Sequence, residues 1–177
     1  MAFTSTPGAI SSSSSSLKSR WLQKKNNIRW KYDVFLSFRG DTRNNFTDHL
    51  YAHLQRKGIL TFKDEEKLER GKPISRELLK AIDESRFAIV ILSRNYASST
   101  WCLDELAKII QRMKENKMIV IPIFYDVDPS DVRKQTGTFA EAFIDHERST
   151  KNLMKIERWK VALRELANIA GWHLQDR

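Results

Sequence analysis

The chain has 177 residues, of which 41% are hydrophobic and 30% charged, so it can form one globular domain with a substantial core. Six of its nine net positive charges fall in residues 1–31, which contain no acidic residue, so charge alone predicts only nonspecific, salt-sensitive nucleic-acid binding by that segment. The single cysteine, Cys102, excludes an internal disulfide, and no apolar run approaches the roughly 18 residues of a membrane-spanning helix.

Residues 1–28 have the composition of a flexible leader, with a serine run at Ser11–Ser16 and few apolar residues. A Ser-rich, basic and acid-free N-terminus also fits a plastid transit peptide, and Lys24-Lys25 fits weak nuclear targeting. A secretory signal is not expected, because no sustained apolar segment is present.

From residue 32 onward, short apolar runs alternate with segments of helical periodicity. The runs predict strands at Tyr32–Phe38, Ile59–Phe62, Phe87–Leu92 and Met118–Phe124. Because these runs are continuous rather than alternating, they favour a parallel sheet covered by helices on both faces. A fifth strand is expected either between residues 125 and 153 or near residues 172–174. Pro122 lacks a backbone donor and predicts that its strand lies at an edge or carries a bulge.

Four helices are predicted from apolar stripes at the spacing of one helix face. The stripes are Phe46, Leu50 and Leu54; Ile74, Leu78 and Ile82; Leu103, Leu106, Ile110 and Met113; and Leu153, Ile156, Trp159, Leu163, Leu166 and Ala170. Beyond these stripes, a turn around Pro129 is expected, with Ser130 capping the helix that follows.

Several familiar sites are excluded by residues that they would require. Gly71-Lys72 is followed by proline, so it is not a phosphate-binding P-loop. The segment that starts at Asp126 lacks both the central glycine and the final glutamate of a calcium loop. His49 and His53 share a helix face, but no third ligand accompanies them, so no metal site is predicted.

A candidate site follows the third predicted strand, where a Ser/Thr-rich turn leads into the helix that carries Trp101 and Glu105. These two residues are four apart, and they lie near the carboxyl end of a strand, where open α/β sheets bind ligands. An aromatic ring beside a carboxylate suits a cationic, ring-bearing ligand such as a nicotinamide dinucleotide. The alternatives are a solvated Glu105 and a core Trp101, and Cys102 is expected to be a small buried residue.

The segment Phe38-Arg39-Gly40-Asp41-Thr42-Arg43 ends the first predicted strand and is a second candidate. Arginine forks bind phosphates in bidentate fashion, and a glycine permits a tight turn between them. The alternative is an Arg–Asp pair that braces the loop.

Five motifs together resemble the Toll/interleukin-1 receptor (TIR) domain, and most closely the version found in plant intracellular disease-resistance receptors. They are YDVFLSFRG from Tyr32, LERG from Leu68, SRNY from Ser93, WCLDEL from Trp101 and FYDVDPS from Phe124. They occur in the expected order between about Lys31 and Trp172. The resemblance implies a flavodoxin-like α/β fold with a five-stranded parallel sheet, a domain at 29–174 and a tail or linker at 175–177.

The resemblance also implies an activity and its residues. Many plant TIR domains are NAD glycohydrolases that need no cofactor or metal and act once assembled. By position in the motifs, Glu105 is the expected catalytic residue. The expected NAD-binding residues are Phe38, Arg39, Gly40, Asp41, Thr42, Arg43, Arg70, Gly71 and Trp101. The family usually has one more residue between Gly40 and Asp41, so the placement of the arginines is left open.

Self-association is expected through the first helix, at Asp48 and His49, and the last helix, at Trp159. The resemblance implies a cytoplasmic or nuclear domain that acts on NAD+ or NADP+. Its nucleotide products would signal to lipase-like immune proteins and lead to hypersensitive cell death. The alternative function is a homotypic adaptor without enzymatic activity.

Overall fold

The computed structural model describes residues 30–63 and 75–174, and the fold below refers to these ranges. The strands are β1 Tyr32–Phe38, β2 Thr61–Lys63, β3 Ser85–Leu92, β4 Ile119–Tyr125 and β5 Trp172–Leu174. The α-helices are α1 Asp48–Arg56, α2 Arg76–Asp83, α3 Thr100–Lys114, α4 Pro129–Lys134, α5 Thr138–Ser149 and α6 Leu153–Ala167. Short irregular helical turns at Gly40–Thr42, Arg43–Thr47 and Tyr96–Ser98 complete the described elements.

The five strands form one parallel sheet in the order β2-β1-β3-β4-β5, which confirms the predicted α/β class. The four strands predicted from apolar runs are confirmed within two residues at each end, and the fifth is the one expected near residues 172–174. The chain passes from β1 to β2 on one side and then to β3 on the other side of β1. This change of direction makes a crevice at the carboxyl ends of β1 and β3, where α/β folds bind ligands.

The prediction that Pro122 marks an edge or bulged strand is wrong. β4 lies between β3 and β5, and its register with β3 continues through the Val90–Pro122 pair without a bulge. β5 first pairs with β4 at Ile123, one residue later, so the missing donor of Pro122 falls where β5 has not yet begun. The residue before β5 is Gly171. A larger residue there would place its Cβ 2.5 Å from the Pro122 carbonyl oxygen, so this position requires glycine.

The two faces of the sheet are covered unequally by the described elements. One face packs against α2, α3, α5 and α6 in a large core that includes Phe35, Leu103 and Trp159. The other face carries a smaller core that includes Leu36 and Ile91, packed against side chains of α1 and the segment before it. Both faces are therefore buried in part, which explains the continuous apolar strands.

Four of the described α-helices, α2, α3, α4 and α6, begin at polar side-chain caps that the sequence supplies. Ser75 and Ser99 accept hydrogen bonds from backbone N–H groups in the first turns of α2 and α3. The expectation for Ser130 is wrong: Asp128 caps α4 and accepts from the Ser130 N–H at 2.7 Å, with Pro129 as the first helical residue.

The apolar stripes correspond to α1, α2, α3 and α6, although the ends of these helices shift, and no stripe predicted α5. α1 begins at Asp48 after a kink at Asn45, so Phe46 precedes the regular helix. α6 ends at Ala167, before Ala170, and Ile74 lies outside the described residues. Among the helices of the described ranges, none combines the length and the apolar character that crossing a membrane would require.

Candidate active site

Glu105 meets the carboxyl end of β1 from the first turns of α3. Side chains alternate along a strand, so Ser37 shares its direction with Phe35, whose side chain belongs to the core that α3 covers. The Ser37 hydroxyl donates a 2.7 Å hydrogen bond to Glu105 Oε2. Glu105 is 5% exposed, so the prediction of a carboxylate at the mouth of the sheet agrees with the geometry, and the alternative of a solvated glutamate does not.

Tyr96 extends this contact into a small hydroxyl network. Its Oη lies 2.7 Å from Ser37 Oγ and 3.0 Å from the Cys102 carbonyl oxygen. Burial raises the pKa of Tyr96 well above its ordinary value, and the nearby Glu105 contributes in the same direction, so the phenol stays protonated. The network ties β1, the turn before α3 and α3 itself around one carboxylate.

The Cys102 thiol interacts electrostatically with three charged residues predicted for the site, Glu105, Arg39 and Asp41. Its thiol is buried and lies 3.5 Å from the Phe38 carbonyl oxygen. Burial raises the pKa of Cys102 and the charge of Glu105 raises it further, while Arg39 lowers it and Asp41 raises it more weakly. Glu105, Arg39 and Asp41 are therefore brought within electrostatic range of one atom, and Cys102 itself is an unreactive thiol, as expected.

Trp101 is 8% exposed and packs in the larger core beside Cys102 and Leu103. The expectation of an open aromatic surface beside the carboxylate is therefore not met in this conformation. Trp101 and Glu105 do lie one turn apart near the start of α3, which is capped by Ser99. Trp101 is consequently a core residue one helical turn before Glu105 rather than an exposed platform.

The predicted nucleotide loop after β1 divides into buried and exposed members. Phe38 lies in the smaller core, and the Arg43 guanidinium stacks over its ring at 5.0 Å. Thr42 is buried and donates to the Arg39 carbonyl, so it holds the turn together. Gly40 and Asp41 are exposed, and Arg39 and Arg43 are partly exposed, so these are the members that a ligand could reach.

Asp41 braces this loop against the loop after β3. It accepts hydrogen bonds from Ser93 Oγ at 3.1 Å and Asn95 Nδ2 at 3.2 Å. The loop is therefore braced, but the described partners of Asp41 are a serine and an amide rather than the arginine of the alternative prediction. The brace spans the crevice between the carboxyl ends of β1 and β3. Arg70 and Gly71 lie outside the described residues.

The residues predicted for self-association differ in exposure. His49 is exposed on α1. Asp48 is paired with Lys63 of β2 at 2.9 Å. Trp159 is 1% exposed and donates from Nε1 to Asp104 at 2.9 Å. The prediction for Trp159 is therefore corrected: its ring fills the core between α3 and α6, and it cannot contact a second copy.

Two cavities lie elsewhere on the domain. A groove of about 1040 Å³ runs between α2, α3 and α6, with Leu79, Ile110 and Met154 in its lining. A hollow of about 410 Å³ lies beside β4 and β5, where Arg94 pairs with Asp126. Neither of these two cavities is lined by Glu105 or Trp101. In residues 30–63 and 75–174, no group of three or more His, Cys, Asp or Glu side chains could hold a metal ion.

Ser37 and Tyr96 were not predicted as site residues, although both stand in motifs of the sequence. A signal for Ser37 was present: it is a polar residue inside the otherwise apolar end of a strand, and a buried hydroxyl needs a partner. The sequence could not name that partner, because Ser37 and Glu105 are 68 positions apart.

The family model described as the TIR domain matches residues 31–177. The chain is 60% identical over 146 residues to the disease resistance protein RPV1 of Vitis rotundifolia, and 58% identical over 145 residues to the TMV resistance protein N of Nicotiana glutinosa. These matches cover 82% and 81% of this chain but only 10% and 13% of the two relatives.

Among solved structures, the chain is similar to the TIR domains of the activated Roq1 resistosome, which is described as directly recognizing the pathogen effector XopQ. The sequence identity is 55% and the TM-score 0.73, and the match covers 81% of this chain and 88% of the solved one.

Proposed function

The chain belongs to the TIR domain family, and on that premise we propose that it is a self-associating enzyme that hydrolyses NAD+, or NADP+, to nicotinamide and ADP-ribose-type nucleotides. We further propose that these products signal in plant disease resistance, through lipase-like immune proteins, from the cytoplasm or nucleus. The names of the relatives support the setting, but the chain spans only about a tenth of their length. The role of any longer protein is part of the proposal.

The placement of Glu105 carries the proposal. Its carboxylate is buried beside the carboxyl end of β1, next to the crevice where the strand order reverses. Arg39 is close enough to act on the same neighbouring thiol, and Arg43 lies over Phe38 at the rim. A negative charge in a water-poor site with guanidinium groups nearby suits a ligand that has a cationic ring and a pyrophosphate.

The reaction needs little from the protein beyond one well-placed charge. Nicotinamide leaves NAD+ as a neutral ring, so no general acid has to protonate it, and the ribose then carries oxocarbenium character. A carboxylate beside the ribose stabilises that positive charge, and water completes the hydrolysis. Removing such a group costs on the order of 10²–10³ in rate.

The burial of Glu105 in a single copy is consistent with a site that opens only on assembly. At 5% exposure, the carboxylate of a single copy offers almost no surface to a substrate. Contacts between copies can shift the equilibrium toward a more open form only if they favour that form. His49 on α1 is the exposed candidate for such a contact, with Asp48 beside it in its ion pair with Lys63.

The test is nicotinamide release from NAD+ by the purified chain at high protein concentration with a crowding agent. Glu105→Gln, which keeps the shape and removes the charge, should lower the rate about 10²–10³-fold. Asp104→Asn is the matched control, because it removes a buried carboxylate one position earlier on α3. Full activity in Glu105→Gln would remove the catalytic assignment.

The second candidate function is an interaction module without chemistry. The near-complete burial of Glu105, and its absence from the lining of both cavities described above, favour this alternative. Self-association in sedimentation without any nicotinamide release, under the same crowded conditions, would select it over the enzyme.

A further inference from the structure

We propose that Ser37 is a positioning residue for Glu105, and that Tyr96 in turn fixes the Ser37 hydroxyl. The inference rests on the proposed function, because it assigns both residues to the reaction proposed for Glu105. Neither residue needs to touch the substrate; each acts through the carboxylate that does.

The contacts form a continuous path. Ser37 Oγ donates to Glu105 Oε2 at 2.7 Å and lies 2.7 Å from Tyr96 Oη, which reaches the Cys102 carbonyl at 3.0 Å. Ser37 and Tyr96 are both fully buried. All three distances lie within hydrogen-bonding range, and no water is needed to connect the groups.

The number of hydroxyl hydrogens fixes the direction of the key contact. Two hydroxyl groups supply two hydrogens for three contacts when Glu105 is ionised. A carboxylate only accepts, so the Ser37 hydrogen points to Glu105, and the Tyr96 hydrogen serves either Ser37 or the Cys102 carbonyl. Ser37 is consequently a direct donor to the charge, and Tyr96 has the smaller effect.

A comparison within the chain shows that this arrangement is not required for burying a serine. Ser85, at the other end of the sheet, is also fully buried, but its hydroxyl donates to the Ala81 carbonyl at 2.7 Å. That bond satisfies the hydroxyl without an ionisable partner. Ser37 instead gives its hydrogen to a carboxylate from the end of a rigid central strand, which keeps Oε2 at a fixed place relative to the crevice.

Loss of the Ser37 hydroxyl should therefore affect turnover more than binding. A carboxylate that can rotate spends less time in the orientation that stabilises the transition state, while the groups expected to hold the nucleotide are unchanged. We expect kcat to fall roughly 10- to 100-fold in Ser37→Ala, with KM changed less than about twofold. Tyr96→Phe should lower kcat in the same direction by a smaller factor.

Ser85→Ala is the matched control, since it makes the same substitution at an equally buried serine far from the crevice. It should lose thermal stability to a similar extent and keep the wild-type kcat. If Ser37→Ala and Ser85→Ala lower kcat equally, the role of Ser37 is structural and the proposal is overturned. If Ser37→Ala does not fold, Tyr96→Phe carries the same comparison.

A second readout does not depend on catalysis. In protein labelled with ¹³C at glutamate carboxyl carbons, the Glu105 resonance is assigned by its absence in Glu105→Gln and followed against pH. Ser37→Ala removes a donor to the ionised carboxylate, so the midpoint of this titration should move to higher pH, whereas Ser85→Ala should leave it in place. Tyr96 and Cys102, which interact electrostatically with Glu105, and Arg39 and Asp41, which act on the Cys102 thiol, are the same in both variants.

The two readouts separate the two claims. If the wild-type chain releases no nicotinamide, the proposed function fails, and the titration alone decides whether Ser37 holds Glu105. An unchanged midpoint in Ser37→Ala would overturn the positioning role, even in a chain that hydrolyses NAD+.

Discussion

The buried contact between Asp104 and Trp159 gives a prediction that tests the corrected role of the tryptophan. Asp104 accepts from Trp159 Nε1 at 2.9 Å and from Lys155 Nζ at 2.9 Å, so one carboxylate joins α3 to α6. Asp104→Ala removes both bonds. The indole N–H is then buried without this partner, which generally costs more than the loss of an exposed contact.

The magnitude follows from the surroundings of each bond. A buried donor without a partner costs about 1–3 kcal/mol, and the partly exposed pair with Lys155 adds at most about 1 kcal/mol. We therefore expect Asp104→Ala to lower the free energy of unfolding by about 2–3 kcal/mol, or Tm by roughly 5–10 °C for a domain of this size. Asp104→Asn keeps an oxygen for the indole and should lose less.

The assay is urea unfolding followed by circular dichroism, in a double-mutant cycle with Trp159→Phe. The cycle cancels the cavity that the smaller ring leaves and isolates the coupling between the two side chains, expected at about 1–2 kcal/mol. Sedimentation of Trp159→Phe should match that of the wild type. Additive effects in the cycle, or altered self-association of a stably folded Trp159→Phe, would refute the assignment of Trp159 to the core.

Three further predictions follow from single positions. His49→Glu should weaken self-association in sedimentation and lower nicotinamide release at unchanged Tm, whereas an acidic residue on the exposed face of α5 should do neither. Gly171→Ala should lower the free energy of unfolding in urea by about 1–3 kcal/mol, because its Cβ would lie 2.7 Å from Pro122 Cγ. Gly40→Ala is the control and should leave that free energy unchanged, because nothing lies within 4 Å of its added Cβ. The backbone hydrogen bond from Ser130 lowers the pKa of Asp128, so this cap stabilises the fold above the ordinary pKa of about 4 and is lost at lower pH; Tm should therefore fall less on acidification in Asp128→Asn than in the wild type.

The sequence was most informative where a single local pattern decides the structure. Continuous apolar runs located the strands because both faces of the sheet are covered, and helical stripes located α1, α2, α3 and α6 but not α5. The same logic placed Glu105 correctly, since a strand, a polar turn and a capped helix put its carboxylate at the carboxyl end of the sheet.

The failures share a physical cause, which is that they depend on contacts between distant parts of the chain. Pro122 is tolerated in an internal strand because β5 starts one residue later, and no property of β4 alone reveals this. The apolar stripe placed Trp159 on one face of α6. It did not reveal that Asp104 would accept a hydrogen bond from the indole N–H, so the sequence could not decide whether Trp159 was buried in the core or exposed for self-association. Ser37 and Tyr96 meet across 59 positions for the same reason.

If the proposed function holds, opening the site requires breaking the contacts of Asp41 in the loop after β1 rather than the contact between Ser37 and Glu105. The bonds from Ser93 and Asn95 to Asp41 are 3.1 and 3.2 Å long and at least partly exposed, so water competes for the same groups and each bond contributes less than a buried one to a charged group. The bond from Ser37 to Glu105 is short and buried, so it resists rearrangement far more strongly. We therefore expect an assembly contact that releases the Asp41 brace to open the crevice at small cost while Glu105 keeps its orientation, as the proposed function requires.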